Sequence, residues 1–238
     1  MKKKYLFLLP LLLMPLTACD LSNLNNKNDK DDEETSEPGA GEPLSFNKEQ
    51  AVNKLKEYGQ TTGFDIAVET KSVDDTGTTT SSFEVAMKND MVWLISDGSY
   101  SGIKLNANSV TAFTSEDGTT YEKTEVGQDQ LDGKTPEQFF DDYMESLTTW
   151  LYFAEYSSAL GLKKVRDFTY VGRSASEYAN KITYGPYVAN YKAYIDNELD
   201  ITLYFLAESS SPEEGNDTEE IKVTSFKSGD QVVKPNIQ

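Results

Sequence analysis

The chain contains no histidine, and its one cysteine is Cys19. Without an imidazole there is no Ser-His-Asp or Cys-His relay, no H-E-x-x-H zinc site and no histidine pH switch. With one cysteine there is no disulfide within the chain, so an exported domain has to fold without covalent staples. Positive charge is scarce: 22 Lys+Arg stand against 40 Asp+Glu in 238 residues, a formal net charge of -18. No basic stripe is available to release counterions from a nucleic acid, which excludes that partner class. Long apolar runs are missing too. The stretch from Tyr5 to Leu16 is interrupted by Pro10 and Pro15 and falls short of the roughly 18 to 20 residues that a spanning helix needs.

What the N-terminus does contain is an address. Lys2, Lys3 and Lys4 precede that apolar run, and Thr17, Ala18 and Cys19 follow it, in the order of a secretory signal over residues 1–18. Leu16-Thr17-Ala18-Cys19 resembles the lipobox of bacterial lipoproteins. The resemblance implies that Cys19 is alkylated with diacylglycerol, becomes the first mature residue and holds the protein on the extracytoplasmic face of a cell membrane. Two or more acyl chains on one residue give stable anchoring. Asp20 resembles the inner-membrane retention signal of two-membrane bacteria, and has no such meaning in a one-membrane cell. Residues 19–43 are dominated by acids, Asn, Ser, Gly and Pro, a composition that cannot offset its ordering entropy. They read as a flexible tether with a reach of about 25 to 30 Å. Their acids lack the glycine and ligand spacing of an EF-hand loop, and no metal or other cofactor is expected.

Residues 44–238 are long enough for one domain. Asn47 with Gln50 marks a helix start, after which Ala51, Val52, Leu55 and Tyr58 share a face up to Gly59. Thr135-Pro136-Glu137-Gln138 places an N-cap, an N1 proline and an N3 glutamine in sequence. The apolar period then runs through Phe139, Phe140, Tyr143, Met144, Leu147, Trp150, Leu151 and Ala154 to Gly161, which predicts one long helix with a broad aromatic stripe. Elsewhere the period is two, as in Phe64, Ile66, Val68 and Phe83, Val85, Met87. Turn residues recur at Asn89-Asp90, Asp97-Gly98, 106–108 and Asp117-Gly118. Further strands are expected at 165–172, 177–184, 187–196, 201–208 and 219–226, with an acidic hairpin loop at 211–217. The spacing leaves no room for crossover helices. The expected fold is α+β: a curved antiparallel sheet of about eleven strands, a half-barrel, with an N-terminal helix and a helical insert between two strand groups.

Three stretches resemble the LolA/LolB-like lipoprotein-carrier superfamily. They are Arg166 to Arg173, which is similar to the strand and turn opening the second half of such domains; Tyr194-Ile195-Asp196 with Leu203-Tyr204-Phe205; and Thr224 to Asp230. The resemblance implies helices lidding an apolar cavity on the concave side of the sheet.

Four near-motifs for chemistry fall short. Gly127 to Thr135 has five residues between its glycines, where a P-loop has four, and carries Asp129 and Asp132 where phosphate would sit. Ser101-Gly102-Ile103-Lys104 fits S-x-x-K, but in strand-like sequence and without partner motifs. Asp141-Asp142 and Glu213-Glu214 are adjacent acids of the kind any acidic surface carries. No catalytic residue is nominated. The leading expectation is a non-catalytic, membrane-anchored module that binds a lipid, acyl chain or other amphiphile in the half-barrel, lined by Trp93, Ile95, Phe113, Trp150, Tyr191 and Phe205. The alternative is an envelope interaction lipoprotein with a packed core, whose protein partner the sequence does not name.

Overall fold

The computed structural model describes residues 41–212 and 215–237. The signal segment, Cys19, almost all of the tether, and Glu213-Glu214 lie outside the described residues.

Asn47 opens helix α1 (Lys48–Thr61) by accepting the Gln50 N–H at 3.0 Å, and Ala51, Leu55 and Gly59 are buried beneath it. Gly59 is required there by contact: a Cβ at this position would lie 2.5 Å from Met87 Sδ. Six strands follow in a meander: β1 (Phe64–Asp74), β2 (Gly77–Lys88), β3 (Met91–Ser96), β4 (Ser99–Leu105), β5 (Val110–Ser115) and β6 (Glu122–Glu125). After the helical insert come β7 (Lys163–Tyr170), β8 (Arg173–Tyr184), β9 (Tyr187–Asp196), β10 (Thr202–Ser211) and β11 (Gly215–Ser228). All neighbours are antiparallel in the order β6-β5-β4-β3-β2-β1-β11-β10-β9-β8-β7, one curved and unclosed sheet. The two meanders join where β1 pairs with β11, from Phe64↔Ser228 to Val73↔Thr218, across a bulge at Ala67/Val68. The expected α+β half-barrel is the fold observed.

Register and alternation assign every side chain to one of two faces. Phe64, Ile66, Val68, Val85, Met87, Val92 and Ile103 point to the face that bears the helices, and all are buried. Ala86, Trp93, Gly102 and Phe113 point to the other. Gly102 makes room on that second face, since a Cβ would come within 2.6 Å of the Phe113 ring and 2.7 Å of Trp93 Cβ. The irregular C-terminal segment lies over it. Val232 and Ile237 pack on Trp93 and Phe113, Lys88 Nζ donates to the carbonyls of Gly229 and Val232, and Lys234 pairs with Asp90.

The insert departs from the single helix expected up to Gly161. Helix α2 (Pro136–Leu147) begins with the full capping box of Thr135 and Gln138, and it stops at Thr148. There the threonine hydroxyl donates back to the Met144 carbonyl at 2.9 Å and also meets the Tyr152 hydroxyl. The Thr148 N–H keeps its own bond to the Met144 carbonyl, and the next turn, Thr149–Tyr152, is a 3-10 helix that precedes α3 (Ala154–Ala159). The apolar stripe continues through the break, which is why its period alone reads as one helix. The 211–217 stretch is also shorter as a loop than expected, because β10 runs to Ser211 and β11 starts at Gly215.

The β7–β8 hairpin turns on Val171 and Gly172, with φ of 44° and 79°. Two positive φ values are the signature of a type I′ turn, in which a β-branched first residue is strained. Val171→Asn is therefore expected to raise stability by about 1 kcal/mol, seen as a higher urea midpoint; a lower midpoint would contradict this account of the turn. Thr135→Ala, which removes the α2 cap, is expected to cost about 1 kcal/mol in the same assay.

Candidate functional site

The six expected lining residues do not form one wall. Tyr191 and Phe205 project from β9 and β10 to the helix-bearing face, against Leu44, Leu160, Leu162 and Phe153. Trp150 lies on the 3-10 turn above that face, edge-on to Phe83 at 5.3 Å, and its indole N–H donates to the Leu147 carbonyl. Trp93, Ile95 and Phe113 project to the opposite face, under the C-terminal segment. The division follows from strand β3, where both alternating sets, Met91/Trp93/Ile95 and Val92/Leu94, are apolar. Hydrophobic pattern cannot say which set faces the helices.

The helix-bearing face is occupied by the insert. Phe140, Met144, Leu147, Trp150, Leu151 and Tyr152 are all buried. Tyr143 lies against Ser101 of β4, and burial pushes its phenol up to about 12. Burial likewise raises the Tyr152 phenol well above its ordinary value, against the opposing effect of its hydrogen bond with Thr148. These are protonated, packed tyrosines.

A cavity of about 430 Å³ opens between α1 and α2, with Val52 and Met144 in its walls and charged side chains around them. Two ion pairs join the helices beside it, Lys48 with Glu145 at 3.0 Å and Lys56 with Asp141 at 2.7 Å. The basic side comes from α1 and the acidic side from α2. Partial exposure and salt screening leave each pair worth no more than about 1 kcal/mol.

On the other face, β7 to β10 carry Phe168, Tyr170, Tyr194 and Tyr204, all half-buried and in mutual ring contact. Tyr194 stacks on Tyr204 at 4.7 Å and meets Phe168 edge-on at 4.8 Å. Arg166 sits over Phe168 and binds the buried Glu177 at 2.7 Å, with Lys192 on the other carboxylate oxygen side at 3.9 Å. Burial raises the Tyr204 phenol above its ordinary value, and the bond to Glu220 adds to the shift.

Sequence reasoning missed the role of Arg173. Its Nε and Nη2 donate to the two oxygens of Asp196, at 2.7 and 3.1 Å, and Nη2 also reaches Glu198. Asp196 is fully buried and its Oδ1 also accepts the N–H groups of Glu198 and Leu199. The guanidinium lies over the rings of Phe226 on β11 and Tyr58 on α1. Burial opposes its charge, and the carboxylate more than offsets that, so its pKa is raised. Arg173 and Asp196 belong to two of the quoted stretches, and the available signal was that two lone arginines sat in so acidic a chain.

The near-motifs are engaged elsewhere. Ser101 and Lys104 alternate to opposite faces of β4, so they cannot act together. Lys134 is held by Asp142, and the Thr135 hydroxyl is occupied as the α2 cap. Asp141 is taken by Lys56. Among the described residues no cluster of three or more Asp, Glu, His or Cys is placed to hold a metal.

No family model and no curated protein matches the chain. Solved structures similar to it include an outer membrane lipoprotein-sorting protein domain from Vibrio parahaemolyticus, at 9% identity and TM-score 0.26, covering 79% of this chain and 96% of that one. A DUF1329 family protein from Desulfovibrio piger is similar at 11% identity and TM-score 0.27, covering 78% and 92%. A LolA superfamily protein from Nitrosomonas europaea is similar at 9% identity and TM-score 0.25, covering 75% and 93%.

Arg173→Met leaves the Asp196 carboxylate buried and unpaired, and is expected to cost about 3 to 5 kcal/mol by chemical unfolding. Lys48→Met, which breaks a pair that is partly exposed on both sides, is expected to cost about 1 kcal/mol or less, discounted for screening. Equal losses in the two variants would contradict the special standing of the buried pair.

Proposed function

We propose that this chain is a non-catalytic interaction module of the cell envelope, tethered to the extracytoplasmic face of a membrane through acylated Cys19 and presenting a domain with a packed core. The observation that carries the reading is the insert. Phe140, Met144, Leu147, Trp150 and Leu151 fill the side of the sheet where an amphiphile would otherwise lie. The half-exposed ring set of Phe168, Tyr170, Tyr194 and Tyr204, edged by Arg166 and Lys192, supports it. Tyrosine and arginine supply large contact area at low entropy cost and are enriched at protein interfaces.

A second reading, a carrier of a lipid or acyl chain, is favoured by the cavity between α1 and α2. Only side-chain ion pairs and packing hold the two helices together there, so they can part without breaking the sheet ladder. Native mass spectrometry separates the two. The mature chain with Cys19→Ser, incubated with phospholipid and then desalted, is expected to keep its apo mass. A retained lipid at one per chain would replace the packed-core reading with the carrier.

A further inference from the structure

We propose that the outer edge of β7, from Arg166 to Tyr170, takes an added strand from a protein partner: an extended antiparallel segment with an acidic side chain beside Arg166 and an aromatic one beside Phe168. The inference rests on the interaction-module reading above and adds to it the place, the pairing mode and the chemistry of the partner.

An unclosed sheet has two edges, and this one treats them differently. β6 has four residues, all exposed and three of them charged, which is how a protein blunts an edge against pairing. β7 has eight and ends in Phe168-Thr169-Tyr170. The entering chain already adds to it. Leu44 N–H donates to the Leu162 carbonyl, Lys164 N–H donates to the Glu42 carbonyl, and Pro43 bridges Lys163 in the antiparallel sense. That cover stops at Lys164, where β7 bulges against β8 between Lys164 and Arg166. From Arg166 to Tyr170 the strand pairs only with β8 among the described residues. Extending the same ladder with the chain's own sequence would bring Pro38 and Gly39 to this stretch, and both are weak strand formers, so the edge suits a segment from outside.

The turn at the end of β7 fixes which backbone groups are on offer. Val171 and Gly172 form a two-residue hairpin turn between Tyr170 and Arg173, and the residues flanking such a turn exchange hydrogen bonds with each other. Alternation along the ladder then directs the N–H and C=O groups of Phe168 to β8, and those of Asp167 and Thr169 outward. Asp167 and Thr169 are both exposed. An added antiparallel strand pairs with these two residues, and its neighbouring residues stand opposite Arg166 and Phe168.

The side chains set the partner's chemistry. Arg166, Phe168 and Tyr170 share the face opposite the helices, so partner residues across from Arg166 and Phe168 extend the ring set already there. Arg166 is 64% exposed. Its Nε carries the bond to Glu177, and its two terminal nitrogens take no hydrogen bond among the described residues. The acids around it are satisfied: Glu177 holds Arg166 and Lys192, while Asp167 holds Lys164 and accepts the Ser176 hydroxyl. A carboxylate from outside therefore meets guanidinium donors without displacing an internal bond. Half-buried Phe168 offers a cross-strand ring contact one pair further on. The net charge of -18 opposes an acidic partner at long range, and screening beyond about 8 to 10 Å leaves the contact to these local groups.

The test uses the mature chain with Cys19→Ser and a capped, fluorescein-labelled peptide, Thr-Val-Tyr-Val-Glu-Val. Paired antiparallel to β7, its glutamate falls opposite Arg166 and its tyrosine opposite Phe168. Binding is read by fluorescence anisotropy. Replacing the peptide's glutamate by glutamine is expected to weaken binding about five-fold. Methylating the backbone nitrogens of the two valines that face Asp167 and Thr169 is expected to abolish it. Arg166→Lys keeps a cation for Glu177 and has no second nitrogen to spare, so it is expected to erase the difference between the glutamate and glutamine peptides. Thr169→Pro, which removes an outward N–H, is expected to abolish binding with the urea midpoint nearly unchanged; should that variant fail to fold, the methylated peptide makes the same test on the unaltered edge. Equal binding of the methylated peptide overturns the added strand. So does a lack of binding by any of the peptides, whether the edge stays bare or the chain's own tether holds it. Equal binding of the glutamate and glutamine peptides by the Arg166 chain overturns the acidic partner. The phospholipid incubation read by native mass spectrometry reports on the packed-core module separately. Peptide binding absent with the apo mass kept loses the added strand and leaves the module; a retained lipid with peptide binding intact does the reverse.

Discussion

The pairing of β1 with β11 is the constraint on which the rest of this fold depends. Every other strand pair joins neighbours in sequence through a short turn, and each meander could form locally. The β1–β11 ladder instead closes a loop from Phe64 to Ser228 and turns two meanders into one sheet. Closure entropy grows only logarithmically with loop length, so the penalty is a few kcal/mol, and a ladder of ten residue pairs with buried Ile66, Val68 and Val223 can offset it. The insert then secures the seam from above, because Trp150 packs on Phe83 in the first meander while Phe153 packs on Phe205 in the second. Thr202 Oγ accepts the Ala154 N–H in the same crossing. Arg173 does comparable work at one end, tying β8 and β9 to α1 and β11 through Asp196, Tyr58 and Phe226.

Most of this architecture was legible in the sequence because its signals are local. Caps at Asn47 and Thr135, turns at Asn89 and Asp97-Gly98, and the period-two runs each report on a few consecutive residues, and the structure realises them. What was not legible is set by contacts distant in sequence or by two patterns that coincide. The stripe from Phe140 to Ala154 keeps the helical period through a real break, the 3-10 turn at Thr149–Tyr152. The C-terminal cover over Trp93 has no periodicity at all. Its placement depends on Lys88 and Asp90, more than 140 residues away.

The site was less legible than the fold, for a reason specific to this sheet. Strand parity identifies a face only where one alternating set is polar. β1 meets that condition, with Asp65 and Glu69 opposite Ile66 and Val68, while β3 is apolar on both sides because both sides are covered. Trp93, Ile95 and Phe113 therefore look like cavity lining and sit instead beneath Val232 and Ile237. A second covering layer in irregular chain leaves no signal in the strands except this doubled apolarity.

The balance between a packed core and a ligand-filled one comes down to comparable burial energies. Fully burying a large apolar side chain contributes about 1.5 to 3 kcal/mol, so Phe140, Met144, Leu147, Trp150 and Leu151 together contribute about 8 to 15 kcal/mol on the helix-bearing face. An acyl chain gains about 0.8 kcal/mol per methylene, which for a chain of about sixteen carbons falls in the same range. A ligand that displaces the insert thus recovers roughly what it removes, and still has to part the ion pairs between α1 and α2 and order itself. The filled conformation is then the ground state. For a lipid to win, it has to find added contacts that the five side chains do not make, and the charged residues around the α1–α2 cavity offer a long apolar tail little of that kind.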